Sequence, residues 1–477
     1  MLMLVVLRTH QAHPAPLYPD GYQYLLMADG LAEHGRPLLQ LGAGGDLLAP
    51  STDAALKPFY PGLVAFVSLF GVSVTTAARV LGILASAALI PLIGLLVAHL
   101  CRSRVAGLVA ATVVAASPAV AFWSGFPGPD ALALCLAAGS ALAFSRRRAD
   151  LGGVLCGLAV TTRPELGLLA VAALVTAIIT TSTRPHGVRG ASAAAVTALG
   201  VFAAVRPPIT VPGVQLTIAG LGAAGFLGLA ATLSIRWRGR VGGIVAPLIV
   251  AAAAAAFVAS RSAEAWTGLA KTDGTLLALA LVATGIGLHR RESRATTACT
   301  LIAFAGLAMV YADKNPNAVR YVSLLIPVAA ISIGVSVAAL PMRSRRMGIA
   351  AVAMCTLALG LVVSTPTVGS DMFAGIAREL RGLPSGPIVT AAPDAYGVLL
   401  RSRAIHAMRE GQRGLILVDA VARAYEPDLV ARGTVVGRIP TTIGFLRPDG
   451  RLDLAPALVV DGVVTRRNRF PLRDTSP

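Results

Sequence analysis

Asp20 stands in the stretch YPDGYQY, at the head of residues 20–34, whose spacing predicts a helix. A carboxylate at that point can act as general base on a hydroxyl, or hold a divalent metal that does so. The same position suits a helix N-cap, and the two readings are compatible. Lys57 lies in KPFYPGL and is one of only three Lys among 41 basic residues. An ammonium is a compact charge suited to phosphate, although a Lys at an interface also snorkels. Pro58 and Pro61 stiffen the backbone around it. Arg79 opens a span, Asp130 closes SPAVAFWSGFPGPD, and Arg163 and Glu165 share TTRPE, near enough in sequence to pair. Arg320 and Tyr321 open a late span. Ionisable groups at the ends of apolar helices are a functional hypothesis by default. Together these residues predict a polar cavity on the outer face, with cations for a phosphate and carboxylates for a hydroxyl.

The elements that must hold them are membrane spans. The chain has 477 residues, 55% hydrophobic and 13% charged, with a mean hydropathy of +0.73. Long apolar runs recur between residues 61 and 364, without the alternation of barrel strands. The net charge of +18 does not indicate nucleic acid. Its Arg residues gather in short loops at 102/104, 146–148, 184/189, 236–240, 290–294 and 343–346. Those are every second loop, the positive-inside pattern, and the intervening loops hold most of the acids. Asp150 and Glu292 are exceptions, lying beside Arg clusters.

Spans are expected at 78–98, 105–121, 131–145, 151–162, 166–182, 190–205, 214–235, 241–258, 274–288, 295–311, 321–340 and 347–364. Residues 61–70 predict a short or re-entrant helix, and residues 1–7 read as the tail of a first span. The total is about 12–13 spans. Residues 9–59 form a long outer loop, in which 20–34 is expected to lie along the membrane interface. Cys101, Cys135, Cys156, Cys299 and Cys355 fall in or beside apolar runs and read as small apolar side chains. His10 and His13 share the outer loop with several acids, but no spacing fixes a third metal ligand.

From residue 366 the composition changes, so the chain divides into a polytopic all-α domain, 1–365, and a small α/β domain, 366–477. Strands are expected at 387–392, 414–419, 434–439 and 457–461, and helices at 371–382 and 419–432. An odd span count from a cytoplasmic start puts this domain outside the cell, as a lid or packing module.

The order of these features resembles the GT-C membrane glycosyltransferases, particularly the protein O-mannosyltransferases and the aminoarabinose transferase of lipid A. The resemblance rests on Asp20 in the first outer loop, K-P-x-Y-P at 57–61, A-A-R at 77–79, S-P…W…D over 117–130, L-A-x-T-T-R-P-E at 158–165 and R-Y…P over 320–327. It implies that Asp20 is catalytic and that Lys57 contacts the donor phosphate, and Asp130 matches a second functional acid of some members; Tyr60 is a further expected substrate-binding residue. Many members carry Asp-Glu where this chain has Asp20–Gly21, so no metal ligand set is assigned.

The expected activity is transfer of a sugar from a polyprenyl-phosphate donor to a hydroxyl of an envelope glycan, lipid or protein. Arg79, Arg163, Glu165, Arg320 and Tyr321 would assist in binding substrate. The expected location is a bacterial plasma membrane, as the Arg-over-Lys and Ala/Gly bias suggests a GC-rich genome. The alternative is a transporter or lipid-linked sugar flippase, which predicts inverted repeats and charges near the midplane.

Overall fold

In a computed structural model of the chain, the described residues are 19–117, 120–121, 124–164, 184–205, 325–341, 372–383, 385–440 and 455–466, with isolated residues between 280 and 301, at 346 and 349, and between 445 and 453. The expected spans at 166–182, 214–235, 241–258 and, apart from Ile349, 347–364 lie outside them. The chain forms two compact units. One holds residues 1–15 and 51–367; the other joins residues 16–50 to residues 368–477. Most of the first loop therefore groups with the C-terminal residues rather than with the helical unit to which the sequence assigns it. Its elements are α1 (Pro19–His34) and the short antiparallel pair β1 (Leu39–Gln40) and β2 (Leu47–Leu48).

Among the described residues, the helical unit opens with a single turn at Thr52–Ala55 and then α2 (Phe59–Ser68), α3 (Val74–Cys101), α4 (Arg104–Ala116), α5 (Asp130–Ser145), α6 (Ala149–Thr162), α7 (Arg184–Val205) and α8 (Ile326–Ala339). Among the described residues, Val74–Cys101 and Val188–Val205 are long and apolar enough to cross a membrane. Ser73 caps α3 by accepting from the Thr76 amide at 3.2 Å, and Ser103 caps α4 by accepting from Ala106 at 3.3 Å. Small residues then let the helices close up. Gly153 and Gly157 of α6 form a G-x-x-x-G face against Gly190, Ala193 and Ala194 of α7. A Cβ on either glycine would strike an α7 backbone carbonyl. Gly94 of α3 meets Gly107 and Ala111 of α4 in the same way, and Gly334 of α8 meets Val97 and Ala106. Ile90, Ile93, Val97, Val109, Val113, Ile326 and Ile333 fill the core between α3, α4 and α8.

These contacts fix which helix ends lie together. His99 of α3 reaches the carbonyl of Ser145 on α5 at 3.0 Å, so the turns after both helices share one end of the bundle. Arg189 pairs with Asp150, bringing the start of α7 to that same end. The Arg102/Arg104, Arg146–Arg148 and Arg189 groups thus gather on one side, as the positive-inside pattern requires. The Asp150 exception is explained by its Arg189 partner. Arg102 and Arg147 both adopt the left-handed region, at φ 49° and 59°. A non-glycine residue there costs on the order of 1 kcal/mol, so the turns keep positive charge where glycine would be easier.

The second unit contains α9 (Met372–Leu380), β3 (Ile388–Thr390), α10 (Pro393–Leu399), β4 (Ile405–Ala407), β5 (Arg413–Val418), α11 (Ala420–Tyr425), β6 (Leu429–Ile439), the pair β7 (Phe445–Leu446) and β8 (Leu452–Asp453), and β9 (Ala457–Arg466). The main sheet has the order β4-β3-β5-β9-β6. β4, β3 and β5 are parallel, and β9 runs antiparallel to both β5 and β6. Val389, Met408, Ile416, Val460 and Val464 form its core. Several features depart from the sequence expectation: α10 has no counterpart in it, β9 runs on to Arg466, and two more have a plain cause. The helix expected over 419–432 ends at Tyr425, because Glu426 precedes Pro427 and Pro427 cannot continue it; the chain re-enters the sheet at Leu429. β4 is three residues long and has no apolar run to announce it.

The helix α1 is present where the spacing predicts it, but it is not an interfacial helix. Tyr22, Tyr24, Leu25, Leu26, Met27 and Ala28 are all at most 2% exposed. Residues so close in sequence cover more than one face, so α1 is a packed helix of the second unit.

Candidate active site

Asp130 is the first residue of α5 and Arg163 follows the last residue of α6. The two helices are antiparallel partners joined at Arg146–Arg148, with Ser140 donating to the Gly152 carbonyl at 2.8 Å. Their far ends must therefore meet, and there Arg163 makes an ion pair with Asp130. The side chains are 1% and 4% exposed. This pair lies at the end of the bundle opposite the Arg-rich turns. Several further groups belong to this end. Lys57 is 3% exposed and Tyr60 is 1% exposed. Both are fixed by the start of α2, which packs on α3, α6 and α7 and sets Gly62 against Val205 at the end of α7, where a Cβ on the glycine would crowd the Val205 side chain. The Lys57 amide donates to the Ala54 carbonyl at 3.0 Å, and Pro58 precedes the helix. Ser124 and Phe126 are buried beside Gly82, whose missing Cβ leaves room for the Ser124 carbonyl.

Of the residues named from sequence, the helical unit buries Lys57, Tyr60, Asp130 and Arg163. Arg79 stands on the exposed side of α3, next to buried Ala77 and Ala78. Glu165, Arg320 and Tyr321 lie outside the described residues. Asp20 is the second residue of α1, in the other unit; its side chain lies outside the described atoms. Among the described residues no three His, Cys, Asp or Glu side chains converge as a metal site.

Sequence reasoning does not anticipate how the second unit holds the first loop. Gln23 donates to Asp394 at 3.0 Å, Arg401 pairs with Asp29, and Asp46 accepts from His406 Nδ1 at 2.9 Å and from the Ala407 amide at 3.0 Å. Burial pushes the Asp29 carboxyl up to about 6, against the pull of Arg401. Asp46 goes the other way: some burial raises it, but the hydrogen bonds from His406 and Ala407 prevail and lower it. Burial also raises Asp394, partly offset by Gln23. A cleft of about 190 Å³ lies beside Asp29, Glu33, Gln40 and Arg401.

Residues 59–208 match the family model of the dolichyl-phosphate-mannose-protein mannosyltransferases. No curated protein matches the chain. Among solved structures, the oligosaccharyltransferase of Archaeoglobus fulgidus, tethered to an acceptor peptide, aligns with a TM-score of 0.55 at 11% identity, covering 85% of this chain and 63% of its own. The fold is that of the GT-C glycosyltransferases. The archaeal oligosaccharyltransferase AglB from Archaeoglobus fulgidus, solved with an inhibitory peptide and a dolichol-phosphate, aligns at 0.54 and 10% identity over the same shares of the two chains. This chain therefore spans less than two thirds of that GT-C protein. ArnT from Cupriavidus metallidurans, solved with undecaprenyl phosphate, aligns at 0.41 and 15% identity over 96% of both chains. The GT-C proteins are multi-pass membrane proteins. The segment matched by the family model runs from α2 through α7; it includes Asp130 and Arg163 and begins after Asp20 and Lys57.

Proposed function

We propose that this protein is a membrane glycosyltransferase that moves a sugar from a polyprenyl-phosphate donor to a hydroxyl of an envelope glycan, lipid or protein at the outer face of the membrane. The observation that carries this reading is the buried Asp130–Arg163 pair, at the end of the bundle opposite its Arg-rich turns and inside the segment that matches the mannosyltransferase family. Buried Lys57 and Tyr60 belong to the same end. The archaeal GT-C enzyme solved with a dolichol-phosphate supports a lipid-phosphate donor.

In this reading Asp20 takes the proton of the acceptor hydroxyl. The acceptor oxygen bonds to the anomeric carbon as the bond from that carbon to the phosphate oxygen breaks, and polyprenyl phosphate leaves with the electron pair. Lys57 and Arg163 stabilise the charge that develops on the phosphate, with Arg79 and Arg320 as further cations. Tyr60, Glu165 and Tyr321 hold substrate, and Asp130 orients Arg163 or contacts the acceptor. One displacement inverts the anomeric centre. The chain makes about 12–13 spans in a bacterial plasma membrane, and residues 366–477 lie outside the cell.

The test is transfer by membranes whose lipid-linked sugars have been labelled metabolically. Asp20→Asn should abolish movement of label from the polyprenyl-phosphate fraction to the envelope fraction. Undiminished transfer by Asp20→Asn would remove Asp20 from the mechanism. Undiminished transfer by a deletion strain would remove the activity itself.

A further inference from the structure

The first loop is tied to residues far away in the chain; Gln23 and Asp394, for one, are 371 positions apart. Tyr22 packs edge-on against Phe373 with ring centroids 5.8 Å apart, and Phe373 packs the same way on Tyr396 at 5.7 Å. The Tyr396 hydroxyl donates to Asp419 at 3.0 Å, and Asp419 caps α11 by accepting from the Ala422 amide at 2.9 Å. This series runs from α1 into the α/β core. Two polar anchors join it on the same helix: Gln23 to Asp394 and Asp29 to Arg401.

The loop after α1 is held as closely. The Leu41 carbonyl accepts from the Ile405 amide at 3.1 Å and the Asp46 amide donates to the Ile405 carbonyl at 3.0 Å, so the segment runs along β4. Gly42, at φ 70°, and Gly45 make that approach possible, since a Cβ on either would strike a nearby backbone carbonyl.

We infer that the C-terminal residues of this unit position Asp20, with Phe373, Asp394 and Arg401 acting on it through α1. The inference rests on the proposed role of Asp20 as base. Asp20 and Gln23 are one turn apart on α1, so the Gln23–Asp394 bond holds the turn that carries the carboxylate. Asp29 lies about 9 Å further along the helix axis from Gln23. Two anchors at that separation, with the Tyr22 ring beside the first, fix both the axis and the rotation of a stiff rod. A base must sit within hydrogen-bond reach of the proton it takes, and a misplacement of about 1 Å can cost about 100-fold in rate. Asp394 and Arg401 are thus positioning residues, remote from the reacting atoms.

The experiment places a nitroxide at Asp20→Cys in the full-length protein, in a background with the native Cys replaced. Label mobility is then compared in that protein and after adding Asp29→Arg, Arg401→Asp, both together, or Asp394→Leu, which removes the acceptor of the Gln23 bond. Transfer is measured in the same set without the label and with Asp20 intact. Mobility should rise in each single variant, with a roughly 10- to 100-fold loss of transfer. The reversed pair should restore both. Bulk unfolding would abolish binding of added polyprenyl phosphate, which these variants should retain. Unchanged mobility in the single variants would overturn the positioning role while leaving Asp20 as base. Increased mobility with undiminished transfer would overturn it too. Full transfer by Asp20→Asn would instead defeat the underlying reading.

Discussion

Arg163 and Asp130 meet although 33 residues separate them, because a helical hairpin returns the chain to the end from which it started. Both side chains are buried, so each charge depends on the other for its stability. Removing one partner of a buried pair typically costs about 3–5 kcal/mol, since the other is left buried and charged. Asp130→Ala and Arg163→Ala should each destabilise the solubilised protein by about that much. The double variant Asp130→Ala/Arg163→Ala should lose less than the sum of the single losses. Thermal unfolding of the four proteins measures the coupling, and additive losses would contradict it.

Lys57 presents a sharper chemical prediction. A buried ammonium that serves a phosphate should not be replaceable by a flat guanidinium, which is larger and forks its donors. Lys57→Ala should lower transfer by at least about 100-fold, the scale of a lost charge-stabilising donor. Lys57→Arg should recover little of it. Binding of polyprenyl phosphate to the solubilised protein should weaken in both variants. A variant with normal binding and normal transfer would reduce Lys57 to an interfacial anchor.

Much of the helical unit was legible because apolar run length and Arg placement are local signals. α3 to α6 fall within a few residues of the expected spans, and the Arg turns gather at one end. The Asp130–Arg163 pair could have been found by noting that a tight Arg146–Arg148 turn forces residues 130 and 163 together. The docking of α1 could not. Its partners Asp394 and Arg401 are 371 and 372 residues away, and no periodicity in a single sequence connects such positions. The apolar face of α1 reads equally well as a membrane surface helix or a packed one, and only the neighbour decides. The one local hint was Gly-rich LGAGGD, where glycines permit close backbone approach.

That glycine segment is itself testable. Gly42 combines a φ of 70° with a Cβ position blocked by the Arg403 carbonyl. Gly42→Ala should therefore destabilise by roughly 1–3 kcal/mol, the scale of a strained backbone position. Gly44 has φ 74° but open space around it. Gly44→Ala should cost less, since only the backbone strain applies. Limited proteolysis within residues 36–50 reports the difference, and equal sensitivity of the two variants would show that the approach to β4 does not matter.

The two acids of the first loop predict opposite pH effects in separate windows. Asp29 has its carboxyl raised by burial from 3.8 to about 6. Between those values the folded protein holds a proton that the unfolded chain releases, so this group's contribution to stability falls as pH rises through the window. For Asp46 burial pulls upward, but the hydrogen bonds from His406 and Ala407 prevail and hold the carboxyl below 3.8. Its contribution is present above the unfolded value and lost as pH falls through the folded one. Asp394 and Asp419 are raised by burial and act in the same sense as Asp29. The comparison must therefore be made between variants. Asp29→Asn should flatten the decline in stability between about pH 4 and 6, and Asp46→Asn should remove a loss that wild type shows only below about pH 4. Unfolding midpoints of the solubilised protein across that range decide it. A decline that survives Asp29→Asn unchanged would mean that the carboxylate beside Arg401 is ionised throughout, with the ion pair outweighing its burial.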